Sequence, residues 1–194
     1  MSNNYISSCE IYFHPIQDVY IAEFFPNQNF IQSEFLYANR FQGEGDIYRS
    51  LVQFDLCSLV CNYIPPCSSI KGAWLELPIH RNEVPETDNV FYVLRVKQDW
   101  NENTVTWATQ PTFDPTPVGA ITVEAGFFGT LYIDLTDLVR GWYEGYFVNQ
   151  GILLTCNEDF DSLLGFFSTR YPDSDLWPRL AVEYEKECPV NFNL

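Results

Sequence analysis

The stretch DIYRSLVQFDL, residues 46–56, decides the fold class of this chain because its side chains alternate in character. Every second residue falls on one face, which collects Tyr48, Ser50, Val52, Phe54 and Leu56. The other face is more polar and holds Arg49, Leu51, Gln53 and Asp55. An apolar period of two over this length predicts a β-strand with one buried and one exposed face.

The segment GAWLELPI, residues 72–79, repeats this alternation. Its inner face collects Ala73, Leu75, Leu77 and Ile79, and the pattern turns Trp74 and Glu76 outward. Similar short runs recur as FYVLRV, TLYID, GILLTC, LLGFFST and RLAVEY, with turn-rich segments such as PETDN and RYPDSD between them. Many short strands separated by turns predict an all-β fold, an antiparallel jelly-roll-like β-sandwich.

One segment, DLTDLVRGWYEG at residues 134–145, breaks the alternation. Its apolar residues follow helical spacing at Leu135, Leu138, Val139 and Trp142. Asp134 or Thr136 can cap the start of a helix here, and Gly145 can end it. We therefore predict one short helix near residues 135–144 that covers an end or edge of the sandwich and buries Trp142.

The composition narrows the classes of function. With 194 residues, the chain suits one domain of the sandwich type. Its 26 acidic residues against 10 basic ones give a formal net charge of -16, which disfavours nucleic acid and anionic membranes as partners. The acidity leaves room for a structural calcium ion, but a solubilising surface is the preferred explanation, and no other cofactor is expected. No apolar run approaches membrane-spanning length, and the start, MSNNYISSCE, lacks the features of a classical signal peptide.

Six cysteines stand out in a domain of this size. This number is typical of proteins that reach an oxidising compartment, with reduced thiols in a buried core as the alternative. Cys9 and Cys188 lie near the two chain ends and are candidates for intermolecular disulfides. The other candidates for disulfides, with their pairing open, are Cys57, Cys61, Cys67 and Cys156. Zinc is disfavoured because the clustered cysteines lack tight zinc-knuckle spacing and the two histidines, His14 and His80, are far apart in sequence.

Catalytic motifs are missing from the sequence. The acidic residues form no pair that their surroundings single out, as general acid–base catalysis would require. Neither histidine sits in a nucleophile–histidine motif, and no glycine-rich phosphate loop occurs. We therefore expect no enzymatic activity.

Taken in order, several short motifs resemble the DNRLRE domain family. They are DVYI from Asp18, RSLVQFDLCSL from Arg49, the W…VTWATQP segment from Trp100, DLTDLVRGWYEG…NQGILL from Asp134, GFFSTR from Gly165 and PRLAVEY from Pro178. The resemblance covers residues 18–184, which leaves residues 1–17 as an N-terminal connector and residues 185–194 as a C-terminal tail. It implies a non-catalytic β-sandwich like the carbohydrate-binding modules attached to bacterial and archaeal surface proteins. It also implies that Trp100 and Trp107 anchor a long loop against the sheet, with stacking on a sugar as the alternative.

Two functions remain open. The first is a structural protein of a cell or spore surface that self-assembles through its tails into a disulfide-supported fibre or layer, as a homo-oligomer or polymer. The cysteine near each end and the absence of an attached catalytic domain favour it. The second is a carbohydrate-binding module that recognises a polysaccharide, with Trp74, Glu76, Tyr132 and Tyr143 as candidate binding residues, because exposed aromatic rings stack on sugars. We expect assembly as the main function, and for both an extracellular or surface location without a classical signal peptide.

Overall fold

The computed structural model describes residues 8–55, 64–65, 68–83 and 88–186. Eleven strands pair into one curled sheet, and every pairing between them is antiparallel. In chain order they are β1 (Ser8–Phe13), β2 (Pro15–Ala22), β3 (Phe35–Arg40), β4 (Ile47–Phe54), β5 (Ser68–Glu83), β6 (Asn89–Val96), β7 (Phe113–Val123), β8 (Thr130–Asp134), β9 (Ile152–Cys156), β10 (Leu163–Phe167) and β11 (Arg179–Lys186). The predicted all-β sandwich is confirmed.

The curled sheet forms two layers. The front layer has the strand order β1-β11-β5-β8, and the back layer contains β2, β4, β9, β6 and β7. The 16-residue strand β5 is long enough to leave the front layer and pair with β10. Strand β10 in turn pairs with β3, and β3 pairs with β4 of the back layer. The main hydrophobic core lies between the layers.

The inner faces of the central strands supply that core, as their alternation predicts. Strand β5 buries Ala73, Leu75 and Leu77 completely, and β4 of the facing layer buries Val52 and Phe54. Burial of this kind stabilises the fold by about 1.5–3 kcal/mol for each large apolar side chain. The sequence therefore predicted β4 and β5 together with their inner faces.

Strand β4 is partly covered on its second face as well, which corrects the prediction of a solvent-exposed face. Leu51 is fully buried there in a second apolar cluster with Val19, Trp100 and Val105. The cover is the loop between β6 and β7, which carries the two tryptophans of the W…VTWATQP motif. The Trp100 indole Nε1 donates to the carbonyl of Gln150 at 2.8 Å. This loop packs on the sheet and covers part of the face of β4 that its alternation predicts to be exposed.

Arg49 fixes the second tryptophan of that loop. Its guanidinium lies 4.7 Å from the Trp107 ring centroid and donates two hydrogen bonds of 2.8 Å to Glu158. A further bond of 2.8 Å reaches the side-chain oxygen of Gln110. Burial by itself would raise the pKa of Glu158, but the bonds from Arg49 and Thr155 outweigh it and lower that pKa. Trp107 is thus part of the framework of the back layer.

A buried ion pair connects three of the motifs that carry the family resemblance: DVYI, the W…VTWATQP segment and GFFSTR. Asp18 is completely buried and accepts hydrogen bonds from the Thr169 backbone N–H at 2.8 Å, from the Thr169 hydroxyl at 2.7 Å and from Arg170. Arg170 also bridges to Glu102 of the long loop at 2.5 Å. Burial raises the pKa of Asp18, while the hydrogen bonds from Thr169 and the charge of Arg170 oppose that rise.

Helix α1, Thr136–Tyr143, confirms the short helix predicted near residues 135–144. It buries Leu138, Val139 and Trp142 against the core. Thr136 fastens its start to the front layer, because the Thr136 hydroxyl accepts a 2.9 Å hydrogen bond from the Ala73 backbone N–H. Among the residues described, no helix is long and apolar enough to cross a membrane.

The folded unit extends beyond the limits expected at both ends. Residues 8–13, expected to belong to a connector, form β1 and pair with β11, which continues to Lys186. Cys9 lies in this strand opposite Tyr184, so it is not a residue of a tail. Pairing with β11 makes residues 8–13 part of the sheet, and the sequence does not reveal that pairing.

Candidate functional site

The outer face of the front layer carries two neighbouring rows of side chains. Cross-strand pairing aligns Tyr12, Ala181, Trp74 and Asp134 in one row, and Arg179, Glu76 and Tyr132 in the next. Alternation along each strand points these side chains away from the core. We call Tyr12, Trp74, Glu76, Tyr132, Asp134 and Arg179 the Trp74 face.

Gly72 provides the seat for the Trp74 ring. A Cβ atom at Gly72 would lie 2.1 Å from the Cη2 atom of the indole, well inside contact distance. The ring therefore lies directly on the β5 backbone, and the glycine is needed because any side chain would displace it. Ala181, which pairs with Trp74 in the first row, is also small and is only 2% exposed. Because Gly72 and Ala181 are small, no side chain of either residue projects beside the indole ring.

An ion pair occupies the next row. Arg179 donates from Nε to Glu76 Oε2, and its guanidinium lies 4.8 Å from the ring centroid of Tyr12. The bond to Glu76 raises the pKa of Arg179, so the guanidinium stays charged. Tyr12 and Tyr132 flank it and are 47% and 58% exposed. The two rows together therefore place one aromatic ring on either side of a fixed polar pair.

A groove of about 520 Å³ borders Trp74 where the two layers meet. Strand β7 forms one wall with Val118 and Ala120, and helix α1 forms the other with Asp137 and Arg140. Gly119 allows β7 to lie close to β8, because a Cβ at this position would lie 2.7 Å from Ile133 Cγ2 on β8. The volume falls in the range of small-ligand sites, about 300–1,000 Å³. We call this cavity the Trp74 groove.

Polar groups line the Trp74 groove around the indole. Asp134 and Asp137 contribute carboxylates, and the Asp137 side chain is almost fully exposed. The cations there already have partners, because Lys71 pairs with Glu185 at 2.8 Å and Arg140 Nε donates to the Ile70 carbonyl at 2.9 Å. An apolar ring surrounded by fixed acceptors and donors suits a ligand that has an apolar face and a rim of hydroxyl groups.

Three of the four predicted glycan-binding residues come together on the Trp74 face: Trp74, Glu76 and Tyr132. Tyr143 does not join them. It lies at the end of α1, packs against the core and donates its hydroxyl to the Pro65 carbonyl at 2.7 Å. Tyr12 and Arg179 were missed because they come from distant strands. Only the cross-strand register brings them beside Glu76, and nothing in the sequence gives that register.

The structure describes two of the six cysteines. Cys156 is a buried thiol in the core, and burial raises its pKa well above the ordinary value. Cys57, Cys61, Cys67 and Cys188 lie outside the described residues.

The two histidines lie in separate environments. His14 Nδ1 lies 3.3 Å from the Pro178 carbonyl, and the His80 ring stacks on Phe35 at 3.9 Å. Within the described part of the chain, no group of three or more His, Cys, Asp or Glu residues is arranged to hold a metal ion.

Comparison with known proteins fits a ligand-binding sandwich. No curated protein matches the chain. The family model for carbohydrate-binding module family 96 matches residues 10–159, which is most of the sequence. The match supports the carbohydrate-binding module implied by the sequence motifs and leaves the DNRLRE name as a resemblance only. The chain belongs to carbohydrate-binding module family 96.

Proposed function

We propose that this protein is a non-catalytic carbohydrate-binding module that holds a neutral polysaccharide on the Trp74 face and in the Trp74 groove. One observation carries the proposal: the Trp74 indole is seated on Gly72 at the side of an open, polar-lined groove. The family match supports the same class of ligand, and modules of this kind are typically non-catalytic. Binding to extracellular polysaccharide would place the protein at or outside the cell surface.

Charge favours a neutral ligand. The chain carries a formal net charge of -16, and the site itself adds Glu76, Asp134 and Asp137. Its cations are committed to groups within the protein, as the pairing of Arg179 with Glu76 and of Lys71 with Glu185 shows. A polyanion would be repelled unless cations bridged the two. A neutral polysaccharide is not repelled, and its hydroxyl groups can form hydrogen bonds with the donors and acceptors of the site.

Self-assembly into a disulfide-supported fibre, the function preferred from the sequence, is the weaker candidate. The family match favours carbohydrate binding instead. Cys9 lies within a paired strand, and its expected counterpart Cys188 is outside the described residues. No observation on the described residues supports a covalent link between copies.

Trp74→Ala is expected to abolish retention on the polysaccharide that the wild type binds, because the stacking surface is lost. Affinity electrophoresis through gels that contain laminarin, hydroxyethyl cellulose, xylan, galactomannan or pectate measures the effect. We expect at least one neutral polymer to retard the wild type and the variant to lose about tenfold or more in affinity. Its melting temperature should change little, because Trp74 lies outside the apolar core clusters.

Two further variants sharpen this experiment. Gly72→Ala keeps the indole but displaces it, so its affinity should fall as well. Phe24→Ala, which removes a ring that is 66% exposed on a loop after β2, is the matched control and should bind like wild type. A wild type that none of these polymers retards, or a Trp74→Ala variant that binds normally, contradicts the proposed function. Pectate should retard the wild type only when calcium is added.

A further inference from the structure

A second cavity adjoins the Trp74 groove. That cavity has a volume of about 360 Å³ and shares two lining residues, Val118 and Asp137, with the first. Because both cavities border the same two side chains, they adjoin each other, and a path between β7 and helix α1 leads past both. Along β7 the path runs from Asp114 to Ala120. At about 3.3 Å for each residue of a strand, this length is about 20 Å, which is several sugar rings.

An aromatic ring stands at the far end, as one does at the near end. Phe147 is 41% exposed and lines the second cavity. It is seated on a glycine in the same manner as Trp74, because a Cβ at Gly141 would lie 2.5 Å from its ring. The Arg95 guanidinium lies 4.4 Å from the Phe147 centroid, which fixes the ring from a second side.

Polar groups accompany this second ring. Arg95 pairs with Asp114 at 3.2 Å, and the Thr116 side chain lines the same cavity. The hydrogen bond from the Thr116 backbone N–H, with help from Arg95, lowers the pKa of Asp114, so its carboxylate stays ionised as an acceptor. The second cavity therefore repeats the plan of the Trp74 groove: one seated aromatic ring with fixed donors and acceptors around it.

We infer that Phe147 forms a second subsite and that the ligand is an internal run of a linear polysaccharide, which lies lengthwise between β7 and α1 with one sugar near Trp74 and another near Phe147. This inference rests on the proposed function and specifies its ligand. A site for a chain end or a single sugar would need only the Trp74 groove. Two seated rings in adjoining cavities suit a ligand that spans both.

Binding of an oligosaccharide series tests the second subsite. For the neutral polymer that retards the wild type, disaccharide to hexasaccharide fragments are titrated by calorimetry. We expect the hexasaccharide to bind about tenfold more tightly than the disaccharide, since one additional aromatic contact contributes up to this factor. Phe147→Ala should remove this gain and leave disaccharide binding unchanged.

Control variants separate the hypothesis of a second subsite from the hypothesis of carbohydrate binding. Tyr146→Ala removes the neighbouring ring, which is 75% exposed and does not line the cavity, and should keep the gain. Asp114→Ala keeps the Phe147 ring but removes an acceptor of the subsite and the partner of Arg95, so it should reduce the gain as well. If the hexasaccharide binds no more tightly than the disaccharide, or if Phe147→Ala weakens both equally, the second subsite is wrong while carbohydrate binding stands. If no fragment binds at all, the proposed function itself fails.

Discussion

Arg170→Ala is expected to lower the free energy of unfolding by about 3 kcal/mol or more. The substitution leaves the fully buried Asp18 carboxylate without its cation, and breaking such a pair from one side typically costs about 3–5 kcal/mol. It also removes the bridge from Arg170 to Glu102, which holds the long loop on the back layer. Urea unfolding at pH 7 measures the loss. Arg170→Lys keeps the charge but not the forked geometry, so it should be intermediate.

The pH dependence of this loss has a defined sign. Without Arg170, the folded-state pKa of Asp18 rises further above its unfolded value of about 3.9. When the folded-state pKa of a carboxyl group is raised, its contribution to the free energy of unfolding is largest below the unfolded-state pKa. This contribution falls as the pH rises from the unfolded-state pKa to the folded-state pKa. The difference in free energy of unfolding between Arg170→Ala and the wild type should therefore be smaller at acidic pH than at pH 7. Adding Asp18→Asn to the variant should recover part of the loss. A loss below about 1 kcal/mol at pH 7 would show that the ion pair does not hold the motifs together.

Trp142→Ala is the second large effect and should cost about 3–5 kcal/mol, as truncation of a buried tryptophan does. The side chain is only 6% exposed and packs in the main core from helix α1. Its indole N–H has no acceptor among the described residues. Trp142→Phe should therefore be milder, because it removes an unsatisfied donor while it keeps most of the apolar contact. Thermal or urea unfolding decides, and a cost under about 1 kcal/mol for Trp142→Ala would mean that the helix does not cover the core.

Local periodicity explains what could be predicted of the fold. The period of two in GAWLELPI sets Leu75 inward and Trp74 outward, and the structure shows both orientations. The helical spacing of Leu138 and Trp142 likewise fixes which face of α1 is buried. These features depend on residues within one element, so a single sequence contains them.

Features that depend on distant segments could not be predicted. Leu51 is buried because a loop from beyond β6 lies over it, and Tyr12 joins the Trp74 face because β1 pairs with β11. Tyr143 looked like a surface residue, but its ring packs on the core and its hydroxyl reaches Pro65. Strand register and loop placement decide all three, and neither follows from the pattern within a segment.

The indole N–H signals of the five tryptophans give the most direct test of the binding surface. Each signal reports on one place in the fold, so a proton–nitrogen NMR titration with laminarihexaose, or with the hexasaccharide of whichever neutral polymer retards the protein, locates the ligand. We expect the Trp74 signal to move together with the backbone amides of Gly72 and Asp134. The signals of Trp100 and Trp107 should stay in place, because both rings are fixed on the back layer. Shifts that concentrate on Trp107, or no shift of Trp74 at saturation, would contradict polysaccharide binding on the Trp74 face.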